Sequence, residues 1–403
     1  KKEKMIFKKR TSKLLMIMAV VSGISLSSCK EDDPVIIDNT VPATTKVIVN
    51  NITENTTWTK DFTYQLASRV TVEAGVTLSI EAGTVIKCEA GTGANATALL
   101  IARGGKLMAE GSATAPIIFT TIADNITAAD VAAGNFASPN LNPNINGLWG
   151  GIIVLGKAPI SASNANGDVT EVQIEGIPTS DPNGLYGGSD AADNSGVLKY
   201  ISIRHGGTNI GSGNEINGLT LGGVGSGTTI SNIEVVANQD DGIEWFGGTV
   251  NVSNVVVWNV GDDGIDTDQA WSGTLENVII ITPAGHCFEL DGPEGTNTGG
   301  HKIRKGTIIT SSTDRVSEDI INVDENSKVD LSDLYFTGIQ DGQKINRVTA
   351  VGVTFTNIYI DVSSDKLADH VAGAVPSGVT SGGSRQADES VFTWTWASKA
   401  GAY

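Results

Sequence analysis

Cysteine is scarce, with 3 residues in 403, which excludes a disulfide framework as the source of stability. Cys88 and Cys287 are expected as buried free thiols, a disulfide between them being the minor alternative. Basic residues are few as well. Lys and Arg number 27 against 45 Asp and Glu, a net charge of −18, and without residues 1–28 the charge is −24. Such a surface argues against nucleic acid or anionic lipid as a direct partner, because both require Lys and Arg to neutralise phosphates. It leaves room for a polyanion bridged by Ca²⁺. Beyond the first 28 residues no run approaches the roughly 20 apolar residues of a membrane-spanning helix. The apolar runs of the central region also lack a 3.6-residue period, which excludes helices there.

What is present instead is a repeat. Four stretches recur between Asn214 and Gly306 with a spacing of 22 to 24 residues: NEINGLTLGG, NQDDGIEWFGG, VGDDGIDTDQ and AGHCFELDG. The first three are each followed by a second short run, SNIEVV, SNVVVW and ENVIII, and the fourth by KGTIIT. Short β-branched runs with Gly and Asn corners at a period in the twenties predict a solenoid of strands, a right-handed parallel β-helix. Asn232, Asn254 and Asn277 fall on successive coils and predict an asparagine ladder.

The N-terminal region reads as an address. Lys8, Lys9, Arg10 and Lys13 precede the apolar run Leu14 to Ile24, which leads into Leu26-Ser27-Ser28-Cys29. A basic stretch, a short apolar run and small residues predict a secretory signal over 1–28, with Met5 as the expected start. The Leu-Ser-Ser-Cys ending resembles a bacterial lipobox, which implies lipid attachment at Cys29. The following Lys30-Glu31-Asp32-Asp33 resembles the acidic export tag of surface lipoproteins of Bacteroidetes. Residues 29–46 are then an acidic tether and 47–403 one β-helix domain, exposed on the outer membrane and held there through the lipid alone.

The run from Val70 to Gly91 alternates strand residues with Glu-Ala-Gly corners and continues from Leu99 to Thr121. The pattern V-x-x-G-x-x-L-x-I-x-x-G-T-x-I, then G-G-K-L-x-A-x-G and P-I-x-F-T, resembles the opening coils of secreted bacterial β-helix proteins with a pectin-lyase-like fold. That fold hosts lyases, hydrolases, adhesins and binding modules, so the resemblance implies architecture before activity. Two loop-rich excursions, Ile122 to Gly147 and Ser161 to Gly196, interrupt the coils and are candidates for a binding face. Beyond Val362 the pattern loosens. The alternating VFTWTW predicts a strand with Phe392, Trp394 and Trp396 on one face, part of a cap over 363–403 that covers the last coil; a carbohydrate-stacking platform is the alternative.

Aligning the coils puts Leu219, Ile243, Ile265 and Phe288 in one inward column. Side chains alternate faces along a strand, so Thr220, Glu244, Asp266 and Glu289 point outward. Two residues on, Gly222, Phe246, Asp268 and Asp291 make a second outward column, and Asn322 and Asp324 extend the two. At the preceding corner Asp240 stacks on Asp262 and Asp241 on Asp263, with His286 next. Coils lie about 4.8 Å apart, and outward neighbours on one strand about 6.7 Å apart. Carboxylates so spaced require a hard cation or raised pKa values. Glu244, Asp266, Asp268, Glu289 and Asp291 are therefore the expected Ca²⁺ ligands, with Asn217, Asn238 and backbone carbonyls completing an oxygen shell. The corner aspartates read equally as residues that tolerate left-handed backbone and cap turns.

Arg204 and His205, in the IRHGG segment, and Trp271, before Ser272-Gly273, are the expected ligand contacts; His205 also reads as a turn residue, and His301 as a loop residue. Pectate lyases, which share the fold, bridge an acidic sugar through carboxylate-bound Ca²⁺ and use an arginine as base. Neither Arg204 nor Arg304 sits in a recognisable lyase motif. The order Gly261-Asp262-Asp263, Gly285-His286, Ile303-Arg304-Lys305 resembles that of polygalacturonases, but no Asn-Thr-Asp precedes it and the last element is permuted. The expected function is non-catalytic binding of an extracellular polysaccharide or surface polymer on an acidic, Ca²⁺-assisted face. A polysaccharide lyase or glycoside hydrolase, with acid and base drawn from Glu244, Asp266, Glu289 or Arg204, is the first alternative. An adhesin or accessory subunit bound to an outer-membrane protein partner is the second.

Overall fold

A computed structural model describes residues 44–210 and 216–403. The expected leader, Cys29 and most of the tether lie outside the described residues, as does the start of the first repeat at Asn214. Strand structure begins at Thr44–Ile48, slightly ahead of the expected Val47, because this segment pairs in parallel with Phe62–Leu66. No helix among the described residues is long and apolar enough to cross a membrane.

The coils stack into two parallel sheets, one of 15 strands and one of 8. Each central coil gives a four- or five-residue strand to the short sheet and a seven- to nine-residue strand to the long one. In the short sheet Leu219 pairs with Ile243, Ile243 with Ile265, Ile265 with Phe288 and Phe288 with Ile321. These residues face a continuous core that runs from Ile52 to Val379. Trp245 stacks on Trp271 at 4.6 Å between ring centroids, Trp271 on His301 at 4.9 Å, and Phe288 meets Phe336 edge-on. His301 opens a long-sheet strand and is buried, rather than lying on a loop. Cys88 and Cys287 are buried free thiols, as expected.

One left-handed residue bends each of seven successive long-sheet strands, from Gly196–Arg204 to Gly352–Ile360. Tyr200, Asn232, Asn254, Asn277, Lys305, Asp333 and Asn357 have φ between 52° and 67°, conformations that Asn and Asp reach at least cost. Asn277 Nδ2 donates to Asn254 Oδ1 at 2.8 Å, and Asn357 Nδ2 to Asp333 Oδ1 at 2.9 Å. Asn232 turns instead to Ser231 Oγ. Asn277 Oδ1 also accepts the Asp388 backbone N–H at 2.7 Å. Asn277→Ala is expected to cost about 1–3 kcal/mol in urea unfolding, and Asn277→Gly less, since glycine keeps the backbone angle. Equal losses would rule out backbone strain as the cause.

The excursions and the C-terminal segment cover the outer faces where those are apolar. Ile126, Val131 and Phe136 of the first excursion pack with Trp394 on Val85 and Ile118 of the long sheet. Ile160, Ile174, Ile177 and Tyr186, in or beside the second, lie on Leu100, Ile153, Leu155 and Phe246 of the short sheet. Phe392, Trp394 and Trp396 are buried, but not on a strand. A 3₁₀ turn, Glu389–Phe392, is followed by a helix, Trp396–Ala400, whose N-cap Thr395 accepts from Ser398 N–H and whose C-terminus ends on left-handed Gly401. Thr395 is a strong N-cap and Gly401 a strong stop, and these local signals prevail over the alternation. Of the expected cap, Leu367, Val371 and Val379 pack at the end of the core, whereas Phe392, Trp394 and Trp396 do not lie over the last coil. Phe392 and Trp396 lie across the flank of the long sheet, on Val236, Val256, Trp258, Ile279 and Ile281.

Candidate functional site

The outward face of the short sheet carries the acidic strip. Thr220 pairs with Glu244, Glu244 with Asp266, Asp266 with Glu289 and Glu289 with Asn322, as the repeat predicts. Carboxylate oxygens of Asp241, Glu244 and Asp266 lie within 4.8 Å of one another, and so do those of Asp240, Asp241 and Asp262. The cluster therefore gathers Glu244 and Asp266 with the corner residue Asp241 rather than with Asp268 and Asp291. Glu244, Asp241 and Asp263 are buried, whereas Asp266, Glu289, Asp268 and Asp291 are partly exposed and Asp262 is open to solvent.

The corner aspartates bond backbone N–H groups, as the turn-capping reading expects. Asp241 Oδ1 accepts the Asp263 N–H at 2.8 Å, and Asp263 Oδ1 accepts the His286 N–H. One oxygen of each thus ties its coil to the next. None of Asp240, Asp241, Asp262 and Asp263 is left-handed, so their preference for that conformation is not the reason they are there. The sequence hint of a site lay in the paired Asp-Asp before Gly on two successive coils.

Burial and like charge act together on the strip. Two unit charges within 4.8 Å repel by about 3–4 kcal/mol at an effective dielectric of about 20. Burial, then Asp266 and the neighbouring aspartates, hold Asp241 well above the usual carboxylate range. Burial and Asp241 do the same to Glu244, with Glu175 of the second excursion adding to it. Burial, Glu244 and Glu289 raise Asp266 likewise. Asp263 is pushed up to about 10 by burial and by the neighbouring Glu289 carboxyl. Burial and nearby acids bring Asp268 and Asp291 up to about 7.

Amides contact two of the carboxylates. Asn217 Nδ2 donates to Glu244 Oε2 and Asn322 Nδ2 to Glu289 Oε1. Arg347 binds at the far end, to Asp324 Oδ1 at 3.1 Å and to Asn322 Oδ1. Three shielded oxygens of the expected shell have no hydrogen-bond partner among the described residues, Asp266 Oδ1, Asn217 Oδ1 and Asn238 Oδ1. Rotating the Asn217 amide would turn its oxygen toward Glu244, so the donor set is oxygen throughout, which suits a hard cation such as Ca²⁺.

The expected ligand contacts are placed elsewhere. Arg204 is 1% exposed and lies on the long-sheet flank beneath the C-terminal helix. Its Nη2 is 3.7 Å from Glu234 Oε2, its Nε donates to Ser202 Oγ, and its guanidinium lies 5.1 Å from the Trp396 ring. His205 is buried, with Nδ1 2.5 Å from the Ile145 carbonyl oxygen and its ring edge-on to Trp396. Trp271 is 0% exposed, and its indole N–H donates to the Val250 carbonyl, so it offers no face to a sugar. All three are packing residues, because the tail and the core stack need what a free surface would have offered.

The strip is neither a deep cleft nor a bare sheet. The second excursion overhangs its Glu244 end, where Tyr186 meets Phe246 and its hydroxyl donates to Gln269. The loop after Asp291 is held to that excursion by Ser163 and Asp168, through Glu294 and Thr296. At Asp262 the strip is exposed, and Asp266 and Asn322 are partly so.

A family model described as a pectate-lyase-like β-helix domain matches residues 50–397. No curated protein and no solved structure matches. The matched span coincides with the stacked coils and the segment packed along them, and parallel strand crossovers wind right-handed almost without exception. The chain is a right-handed parallel β-helix and belongs to the pectate-lyase-like β-helix domain family.

Proposed function

We propose that the acidic strip binds Ca²⁺ and, through it, an anionic extracellular polysaccharide, without cleaving it. The observation that carries this reading is the shielded, unpartnered Asp266 Oδ1 in a cluster whose oxygens lie within 4.8 Å. A cation bound there would supply the partner that the fold withholds. Asp241, Glu244 and Asp266 would hold the ion, with Asn217 beside them. The exposed side toward Asp262 and Asn322 leaves coordination positions for a polymer carboxylate. Lipid attachment at Cys29, with the tether, would present this face outside the cell.

Calcium titration calorimetry at pH 7.5 tests it. Asp266→Asn is expected to weaken Ca²⁺ binding at least about tenfold, the loss of one charged oxygen ligand. Unchanged affinity would place the ion elsewhere. Retention on polygalacturonate gel should require Ca²⁺ and release no new reducing ends.

One observation favours a second reading, hydrolysis or elimination. The buried Asp263, pushed up to about 10, lies beside the partly exposed Glu289, an arrangement that can supply a general acid and a base. New reducing ends lost in Glu289→Gln would establish it, with ultraviolet-absorbing products marking elimination.

A further inference from the structure

A second site lies around the corner from the strip, where the first excursion, the long-sheet flank and the chain terminus meet. It is a cavity of about 390 Å³, within the usual size range of small-molecule sites. Its buried wall is formed by Trp258, Asn259, Ile281 and Thr282, and Asn144 and Arg315 are at its edge. Thr282 Oγ1 donates to Asn259 Oδ1, and Asn259 Nδ2 to Asn144 Oδ1, both at 2.6 Å, so this wall is held in place.

Arg315 is the group that calls for explanation. It is carried on a tight turn in which Ser312 N–H donates to the Arg315 carbonyl. The side chain reaches back across the coils so that Nη2 donates to the Val260 carbonyl oxygen at 2.5 Å. Among the described residues its guanidinium forms no ion pair, and its Nε and Nη1 form no hydrogen bond. Neither nitrogen is shielded from solvent, so in a chain with 45 acids the guanidinium keeps free donors at the cavity edge.

We propose that this cavity binds a hydroxylated carboxylate the size of a single sugar acid, with the carboxylate on the remaining donors of the Arg315 guanidinium and the hydroxyls among Asn142, Asn144 and Thr313. The planar fork of arginine matches a carboxylate in two parallel hydrogen bonds. The Trp258 and Ile281 wall supplies apolar surface for the ring, and the exposed rim supplies amide and hydroxyl groups for its oxygens. This inference does not depend on the acidic strip, since the cavity contains its own cation and needs no metal.

Calorimetry with D-galacturonate and D-glucuronate in EDTA separates the two sites, because the chelator removes any calcium bridge. The full chain is expected to bind a hexuronate, and galactose and glucose at least about tenfold more weakly, the contribution of one charge-assisted pair. Arg315→Gln should lose the same factor, Arg315→Lys should recover only part of it, and Asp266→Asn should leave it unchanged. If Arg315→Gln fails to fold, Asn144→Ala at the exposed rim should still weaken binding several-fold. No detectable hexuronate binding, equal binding of neutral hexose, equal competition by inorganic sulfate, or affinity untouched by the Arg315 and Asn144 variants would each overturn the proposal. Loss of Ca²⁺ binding in Asp266→Asn with hexuronate binding intact would support two separate sites.

Discussion

In chelator, the melting temperature of the domain is expected to fall by on the order of 5–10 °C between pH 5 and pH 9, and millimolar Ca²⁺ to restore most of it at the higher pH. Aspartate and glutamate in an unfolded chain titrate near 3.9 and 4.3. In the folded chain Asp268 and Asp291 titrate at about 7 and Asp263 at about 10, and Asp241, Glu244 and Asp266 are held well above the normal range. The folded state therefore binds more protons than the unfolded state from about pH 4 upward. The sign follows: this contribution to stability is whole below about pH 4, falls as the pH passes 7, and is lost as it passes about 10. A cation acts the other way, because it binds the ionised carboxylates. Its stabilisation should grow with pH. Thermal melts at five pH values, with EDTA and with Ca²⁺, measure both slopes. A flat profile in EDTA would mean that the strip is ionised and balanced by other groups. A calcium increment equal at pH 5 and pH 9 would mean that the ion binds outside the strip.

Glu234→Gln is expected to destabilise the domain by about 3–5 kcal/mol, the cost of stranding one member of a buried ion pair. Glu234 and Arg204 are both fully shielded on the long-sheet flank. Burial pushes the carboxyl up and the guanidinium down, each toward neutrality, yet a guanidinium keeps its proton in a protein. Glu234 is thus the counter-ion that makes the burial of Arg204 tolerable. It also accepts the backbone N–H of Ala397 at 2.9 Å, so it ties the C-terminal helix to the sheet. Glutamine preserves shape and removes the charge. Urea unfolding should show the loss, and limited proteolysis should show earlier cleavage near Trp396. Adding Arg204→Met should recover most of the stability, because an apolar side chain leaves no charge stranded. A double variant no more stable than Glu234→Gln would show that the charge balance was not the cause.

The sequence made the coil path legible because it is local. The period of Leu219, Ile243, Ile265 and Phe288 depends on alternation and corners within each coil, and the outward column from Thr220 to Asn322 follows from it. What could not be read was which outward residues meet something else. Arg204, His205 and Trp271 each have the chemistry of a binding residue, and each is covered by chain distant in sequence or by a neighbouring coil. Strand alternation says that a side chain leaves the core; it does not say what lies over it. Asp241 was legible as a corner aspartate, but it joins the carboxylate cluster only through the three-dimensional turn of the corner. For Phe392, Trp394 and Trp396 the error was one of scale. A two-residue alternation six residues long was weaker than the N-cap Thr395 and the terminator Gly401 beside it.

The Ala397–Glu234 hydrogen bond joins residues 163 positions apart, and that separation sets an order of events during synthesis. The coils through Arg204 and Glu234 can stack as soon as they are made, since each needs only its neighbours. Their flank cannot close until the last few residues of the chain arrive. Until then a charged pair and a stripe of valine and isoleucine remain wet, and the half-made stack stays loosely held. The final helix therefore works as a latch on a structure already wound, and a chain that stops short of Trp394 would be wound but never fastened.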